Sequence, residues 1–194
     1  MQEDWIARLR ALAQEGLTNS SDRYSIERYR QIRALADEIA AHTGHHATLP
    51  LRYDHMPQTP KAGIRGAVMH EGKILLVKER DDGLWSMPGG FADVGDTPAQ
   101  AIEREIREES GYQASARRIF YCHREVTPNN TSFHVLYFLC ELVGGVAQTS
   151  IETSAVRFFA EDALPPLSVM RKADRMVAQA FYYHQRPHLP AKIE

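Results

Sequence analysis

The spacing of the apolar residues changes once along this chain, and that change limits the fold more than any other feature. Up to about residue 45 the apolar side chains recur at helical intervals: Trp5, Ile6, Leu9 and Leu12 with Ala13, then Tyr24, Ile26, Tyr29, Ile32, Leu35, Ala36 and Ile39. Pro50, Pro57 and Pro60 then mark residues 46–62 as a linker. Beyond it the pattern becomes strand-like. Ile64 to Met69 and Lys73 to Lys78 flank a His70-Glu71-Gly72 turn, Phe133 to Leu142 precedes Gly144-Gly145, and Val156 to Phe159 is a shorter strand. Helical stretches from Pro98 to Glu109 and from about Leu167 to His184 lie among the strands. Interleaving of this kind predicts an α/β fold. The expected division is a helical extension with its linker over residues 1–60 and a second domain over 61–194.

In the extension, Gly16 sits where the first helix would stop, Asp22 is the expected N-cap of the second, and Gly44 its end. Two helices of this length cannot bury their apolar stripes on each other alone. They need the rest of the chain or a second copy of it, so a homodimer through the N-terminal helices is expected. Adjacent His45 and His46 read as solvated linker residues. Tyr24, Arg28 and Tyr29 could stack on a base, and their helical spacing favours packing. Tyr182, Tyr183 and His184 read as packing and surface residues.

With 23 basic and 25 acidic residues the net charge is −2, so no general positive field exists to hold nucleic acid or an anionic membrane. A small anionic substrate would need local countercharge. The two cysteines, Cys122 and Cys140, lie in apolar strand-like stretches and do not make a disulfide framework. The start of the chain is polar and acidic, and no apolar run approaches the ~20 residues of a membrane span. The cytoplasm is the expected compartment.

The chemistry concentrates in residues 89–112. Thr97 can cap a helix, Pro98 suits its first position, Gln100 completes a capping box and Gly111 suits its stop. Ala101, Ile102 and Ile106 form its apolar face. Glu105, Glu108 and Glu109 fall at i, i+3 and i+4, which gathers three carboxylates on one side. They repel one another, and they lie toward the helix end where the dipole disfavours anions. A hard divalent cation removes both penalties. A solvated face with Arg104–Glu108 and Glu103–Arg107 pairs is the competing explanation. The Gly89-Gly90 loop ahead of the helix shifts the balance, because it lets a ligand or metal approach the backbone.

This segment resembles the Nudix box, G-x5-E-x7-R-E-U-x-E-E-x-G-U, with U a bulky apolar residue. Gly90, Arg104, Glu105, Ile106, Glu108, Glu109, Gly111 and Tyr112 match at the right spacing, and Asp96 stands where the pattern has Glu. The run Leu84 to Gly90 is similar to the strand that leads into the box. Trp5, Gly16-Leu17-Thr18, Arg28-Tyr29 and Asp54-His55 resemble the helical extension of a bacterial subgroup that is ADP-ribose or CDP-choline pyrophosphatase-like.

The resemblance implies a Nudix α/β/α sandwich with a mixed sheet, plus a small N-terminal two-helix extension. It implies Mg²⁺ or Mn²⁺ held by Glu105 and Glu109, with Glu108 and the Gly90 carbonyl assisting. Arg104 would orient the glutamates. Glu108 or Glu152 would serve as general base. Phe133 and His134 are candidates for a base pocket. The implied reaction is hydrolysis of the diphosphate link in a nucleoside diphosphate compound of ADP-ribose or CDP-choline type. Two alternatives remain open: hydrolysis at an RNA 5′ end, disfavoured by the near-neutral charge, and a non-catalytic nucleotide sensor, disfavoured by the three intact glutamates.

Overall fold

A computed structural model describes residues 2–43, 61–93, 95–126 and 132–194. It divides into two units, residues 1–58 and 59–194. The expected linker, Gly44, His45-His46 and Asp54-His55 lie outside the described residues.

The first unit is an antiparallel helix pair, α1 (Gln2–Asn19) and α2 (Arg23–Thr43). The Arg10 guanidinium donates to the Asp37 carboxylate at 2.7 Å, and Ile6, Ala13, Ala36 and Ala40 are buried along the seam. Asp22 caps α2, its carboxylate accepting the Ser25 N–H at 2.7 Å. Gly16 does not end α1, which continues three residues past it. Its role is close approach: a Cβ there would fall 2.3 Å from the Tyr29 ring. A glycine that lets a neighbouring ring approach and one that stops a helix read alike in a sequence. Trp5, Leu12, Tyr24 and Leu35 are exposed on this unit.

The second unit is a mixed sheet between helices. Its strands are β1 (Lys61–His70), β2 (Lys73–Glu79), β3 (Trp85–Ser86), β4 (Tyr112–Val126), β5 (Ser132–Gly145), β6 (Thr153–Ala160) and β7 (Lys192–Ile193). They run in the order β3-β2-β1-β5-β4-β7, with β6 also paired to β2. β1 and β5 are parallel, as are β4 and β7, and the remaining pairs are antiparallel. The 70–73 hairpin closes through Glu71 and Gly72, both at positive φ (49° and 73°), the twist that a two-residue hairpin loop requires.

Helix α3 (Pro98–Ser110) covers one face, where Ala101, Ile102 and Ile106 meet Ile64, Val68, Leu75 and Phe138. Helix α4 (Ala173–His184) covers part of the other, where Met176, Val177, Ala180 and Phe181 meet Met69, Leu76, Phe120 and Leu139. The sandwich expected from the resemblance is therefore present. Two details differ. α4 starts six residues later than the apolar spacing implies, because Pro166 and Ser168 bond the backbone of Trp85 and Lys172 is left-handed (φ 50°). The approach to the box is strand only at Trp85–Ser86.

Candidate active site

α3 is pinned at both ends by its own sequence. The Thr97 side chain accepts from the Gln100 N–H while the Gln100 side chain accepts from the Thr97 N–H, so the capping box is complete. Gly111 closes the other end in a left-handed turn, its N–H donating to the Arg107 carbonyl. The Thr153 hydroxyl then donates to the Glu109 carbonyl at 2.8 Å. That bond brings the 150–152 loop against the C-terminal turn of α3.

The apolar face of α3 sits on the sheet, which aims Glu105 and Glu109 at the Gly89-Gly90 loop. The Gly89 N–H donates to Glu109 Oε2 at 2.9 Å. Gly89 has φ 147°, and a Cβ there would fall 2.1 Å from the Ile64 carbonyl oxygen. A Cβ on Gly90 would fall 2.9 Å from Glu105 Oε1. Glycine at 89 lets the loop lie this close to β1, and glycine at 90 lets it lie this close to the Glu105 carboxylate. The Gly90 carbonyl accepts the Ile64 N–H at 2.9 Å and keeps one lone pair, as carbonyl oxygens have two.

Arg104 is the fork that holds the surface-facing acids. It donates to Glu105 and Glu108 at 3.0 Å each, to Asp96 at 3.3 Å and to the Phe91 carbonyl at 3.2 Å. Asp93 lies 3.5 Å from the same guanidinium. Asp96, the departure from the box pattern, thus has its carboxylate on Arg104.

Glu109 is only 5 % exposed. Burial pushes its carboxyl up to about 8; Arg65 and the Gly89 N–H pull the other way, while Glu79 and Glu105 add to the rise. Burial also raises Glu105, against the opposing charge of Arg104, and Glu108 and Glu152 raise it further. Among the described residues no three acidic or histidine groups already stand in metal-ligating geometry. What the site offers is hard oxygen donors, half-buried or buried, that repel one another beside a backbone too close for any side chain. That donor set suits Mg²⁺ or Mn²⁺, which would relieve the repulsion.

The sequence matches the NUDIX domain family over residues 60–181. The chain belongs to the Nudix hydrolases. Residues 3–51 match a second family, described as a UDP-X-like, N-terminal oligomerisation domain. The Bacillus subtilis protein YjhB, a candidate ADP-ribose pyrophosphatase, is 36% identical over 96% of this chain and 95% of its own. A crystal structure of UDP-X diphosphatase superposes with TM-score 0.68 at 26% identity, covering 98% of this chain and 97% of that one. An ADP-ribose pyrophosphatase structure from Streptococcus suis gives TM-score 0.62 at 33% identity, covering 70% of this chain and all of that one.

The remaining expected residues scatter around the Nudix centre. Glu152 is exposed on the loop that Thr153 ties to α3, near enough to raise Glu105. Phe133 lines a cleft of about 410 Å³ with Arg65, Phe91, Glu125, Tyr137 and Arg171. His134 is exposed and outside that lining, because successive strand residues point to opposite faces. Sequence reasoning missed Arg65, Glu79 and Arg171. Arg171 forms an ion pair with the buried Glu79 at 3.1 Å and also grips Asp81 and Asp82, and Arg65 lies 4.0 Å from Glu79. The signal was a charged residue among apolar neighbours, Arg65 in the middle of β1 and Glu79 closing β2. Buried charges require partners: Arg65 donates to the Met87 carbonyl at 3.0 Å, and Glu79 accepts from the Ser86 hydroxyl at 2.5 Å beside Arg171.

Proposed function

We propose that this chain hydrolyses the diphosphate bond of a nucleoside diphosphate linked to a second group, with Mg²⁺ or Mn²⁺. The observation that carries this reading is the buried Glu109 carboxylate bonded to Gly89, beside Glu105 over Gly90. A bound divalent ion supplies neutralisation of the phosphate charge and a more acidic water. Glu105 and Glu109 would hold it, with Glu108 and the free lone pair of the Gly90 carbonyl as further oxygens. Arg104 keeps Glu105 and Glu108 oriented. Glu152 or Glu108 accepts the proton of the attacking water, since both carboxylates face solvent beside Glu105.

ADP-ribose, UDP-X and CDP-choline types are the substrate classes this reading favours, X being a second group joined to UDP. The first two are supported by what the similar proteins are named for, and the third by the resemblance of the N-terminal extension. The same extension supports a homodimer, since its exposed Trp5, Leu12 and Leu35 need a covering surface and its family description is that of an oligomerisation domain. Cys122 and Cys140 are free thiols, which suits a reducing compartment, the cytoplasm.

The test is turnover by purified protein of ADP-ribose, UDP-glucose, CDP-choline, dinucleoside polyphosphates and 5′-triphosphate RNA, with Mg²⁺, Mn²⁺ or excess chelator. Metal-dependent release of a nucleoside monophosphate from one of the first three supports the reading. Full turnover in chelator, or turnover of the RNA alone, would overturn it.

A further inference from the structure

The cleft beside the Nudix centre has a polarity along its length. β1, β5 and β4 are in register so that residues on one face form cross-strand rows: Lys61, Phe133 and Glu125; Gly63, Val135 and His123; Arg65, Tyr137 and Tyr121. The Arg65 row adjoins Gly90 and Glu109. The Glu125 row lies two rows away, roughly 13 Å at ~3.3 Å per residue. In the Glu125 row the Phe133 ring stands 5.3 Å from that of Phe91, whose backbone bridges Gly63 in the next row. One end of the cleft therefore carries the Arg65 and Arg171 guanidiniums next to the carboxylates of α3, and the other carries aromatic surface and the Glu125 carboxylate, with Lys61 of that row outside the lining.

We propose that Glu125 is the specificity-determining residue of this cleft, accepting hydrogen bonds from N–H donors on the base of the substrate. The proposal rests on the diphosphatase reading above. A carboxylate offers only acceptors, and Glu125 lies apart from the α3 carboxylates that would hold a metal, so its partner is a hydrogen-bond donor rather than phosphate. It serves a group that presents N–H donors, namely a base edge, while the planar base packs on Phe91 and Phe133.

Glu125 is half-buried among polar and charged neighbours. His123, 5 % exposed, places its Nε2 3.7 Å from Glu125 Oε2 and 3.4 Å from Lys172 Nζ. Its ring stacks on Tyr137 with centroids 5.5 Å apart. Lys172 reaches this position from a left-handed backbone that a lysine rarely adopts. The His123 imidazole thus has the Glu125 carboxylate and the Lys172 ammonium beside one nitrogen at the cleft wall. A half-buried acceptor at this place discriminates, because a ligand lacking the donor leaves it unpaired.

The experiment is calorimetric binding of ADP, UDP, CDP and GDP to the full chain in chelator, for wild type, Glu125→Gln and Glu125→Ala, with kcat and KM measured in parallel on ADP-ribose and UDP-glucose with Mg²⁺. Wild type is expected to rank one nucleotide at least about tenfold above the others. Glu125→Ala is expected to collapse that ranking to within about threefold. Glu125→Gln, which keeps the shape and exchanges an acceptor for a donor, is expected to weaken the preferred ligand by about tenfold and raise KM with kcat little changed. An unchanged ranking in both variants, or wild-type binding without discrimination, would overturn the proposal. So would a fall in kcat at unchanged KM, which would assign Glu125 to the chemistry. If wild type hydrolyses none of ADP-ribose, UDP-glucose and CDP-choline yet shows a ranking that Glu125→Ala erases, the diphosphatase reading fails and the role of Glu125 stands.

Discussion

Gly89 and Glu109 are joined by a 2.9 Å hydrogen bond from the glycine N–H to the carboxylate, twenty residues apart in the chain. This bond fixes the loop to the helix and makes the loop's backbone part of the site. The two glycines of the loop do different work, and alanine substitution separates them. Gly89→Ala forces a Cβ to within 2.1 Å of the Ile64 carbonyl at a backbone angle that alanine resists. It should destabilise the fold by about 2–4 kcal/mol, combining strain with displacement of β1. Gly90→Ala meets the movable Glu105 carboxylate instead. It should cost less stability and mainly weaken Mn²⁺ binding. Urea unfolding and metal titration of the two variants check this; equal effects on both readouts would contradict it.

Glu109→Gln keeps the acceptor for the Gly89 N–H and removes the charge. Turnover should fall by two or more orders of magnitude, Mn²⁺ affinity should drop, and the metal-free protein should be at least as stable as wild type. The reason is that burial, with Glu79 and Glu105 near, makes the ionised carboxylate costly, so the metal-free fold takes up a proton at neutral pH that the amide does not need. Turnover within threefold of wild type would remove Glu109 from the centre.

His123 should make stability depend on mild acid. Burial, and then the neighbouring Lys172 and Arg175, hold its imidazole below the ordinary histidine value of 6.5, with Glu125 opposing. Tyr121 and Tyr137 complete its surroundings. The unfolded chain takes up a proton as pH falls through about 6.5 and the folded chain does not. Stability from this group is therefore present above that pH and declines below it. His123→Gln should make the fall in melting temperature from pH 7.5 to pH 5.5 shallower than in wild type. A slope unchanged by the substitution would show that the imidazole does not contribute.

The helix α3 was legible almost to the residue because its limits are local: Thr97, Pro98, Gln100 and Gly111 each act within one turn of themselves. The three glutamates were legible for the same reason. Arg65, Glu79, Glu125 and Arg171 were not, since they come from β1, β2, β4 and the segment before α4, and only sheet register and the packing of that segment bring them near one another. The pairing of Phe133 with His134 as pocket residues could have been refused on alternation alone. The late start of α4 was hidden because the bonds that unwind Leu167 to Lys172 come from Trp85, far away in sequence.

Asp96 occupies the position where the box has glutamate, and its partner is Arg104 at 3.3 Å. If Asp96 acts only through that guanidinium, its removal should matter only while Arg104 is present. Arg104→Ala frees Glu105 and Glu108 as well, so it should lower turnover by about 30-fold or more. Asp96→Ala alone should lower it several-fold. The double variant should resemble Arg104→Ala, a non-additive cycle of the kind that contacting residues show. Additive losses in kcat/KM would mean that Asp96 reaches the metal or substrate on its own, in spite of its shorter side chain.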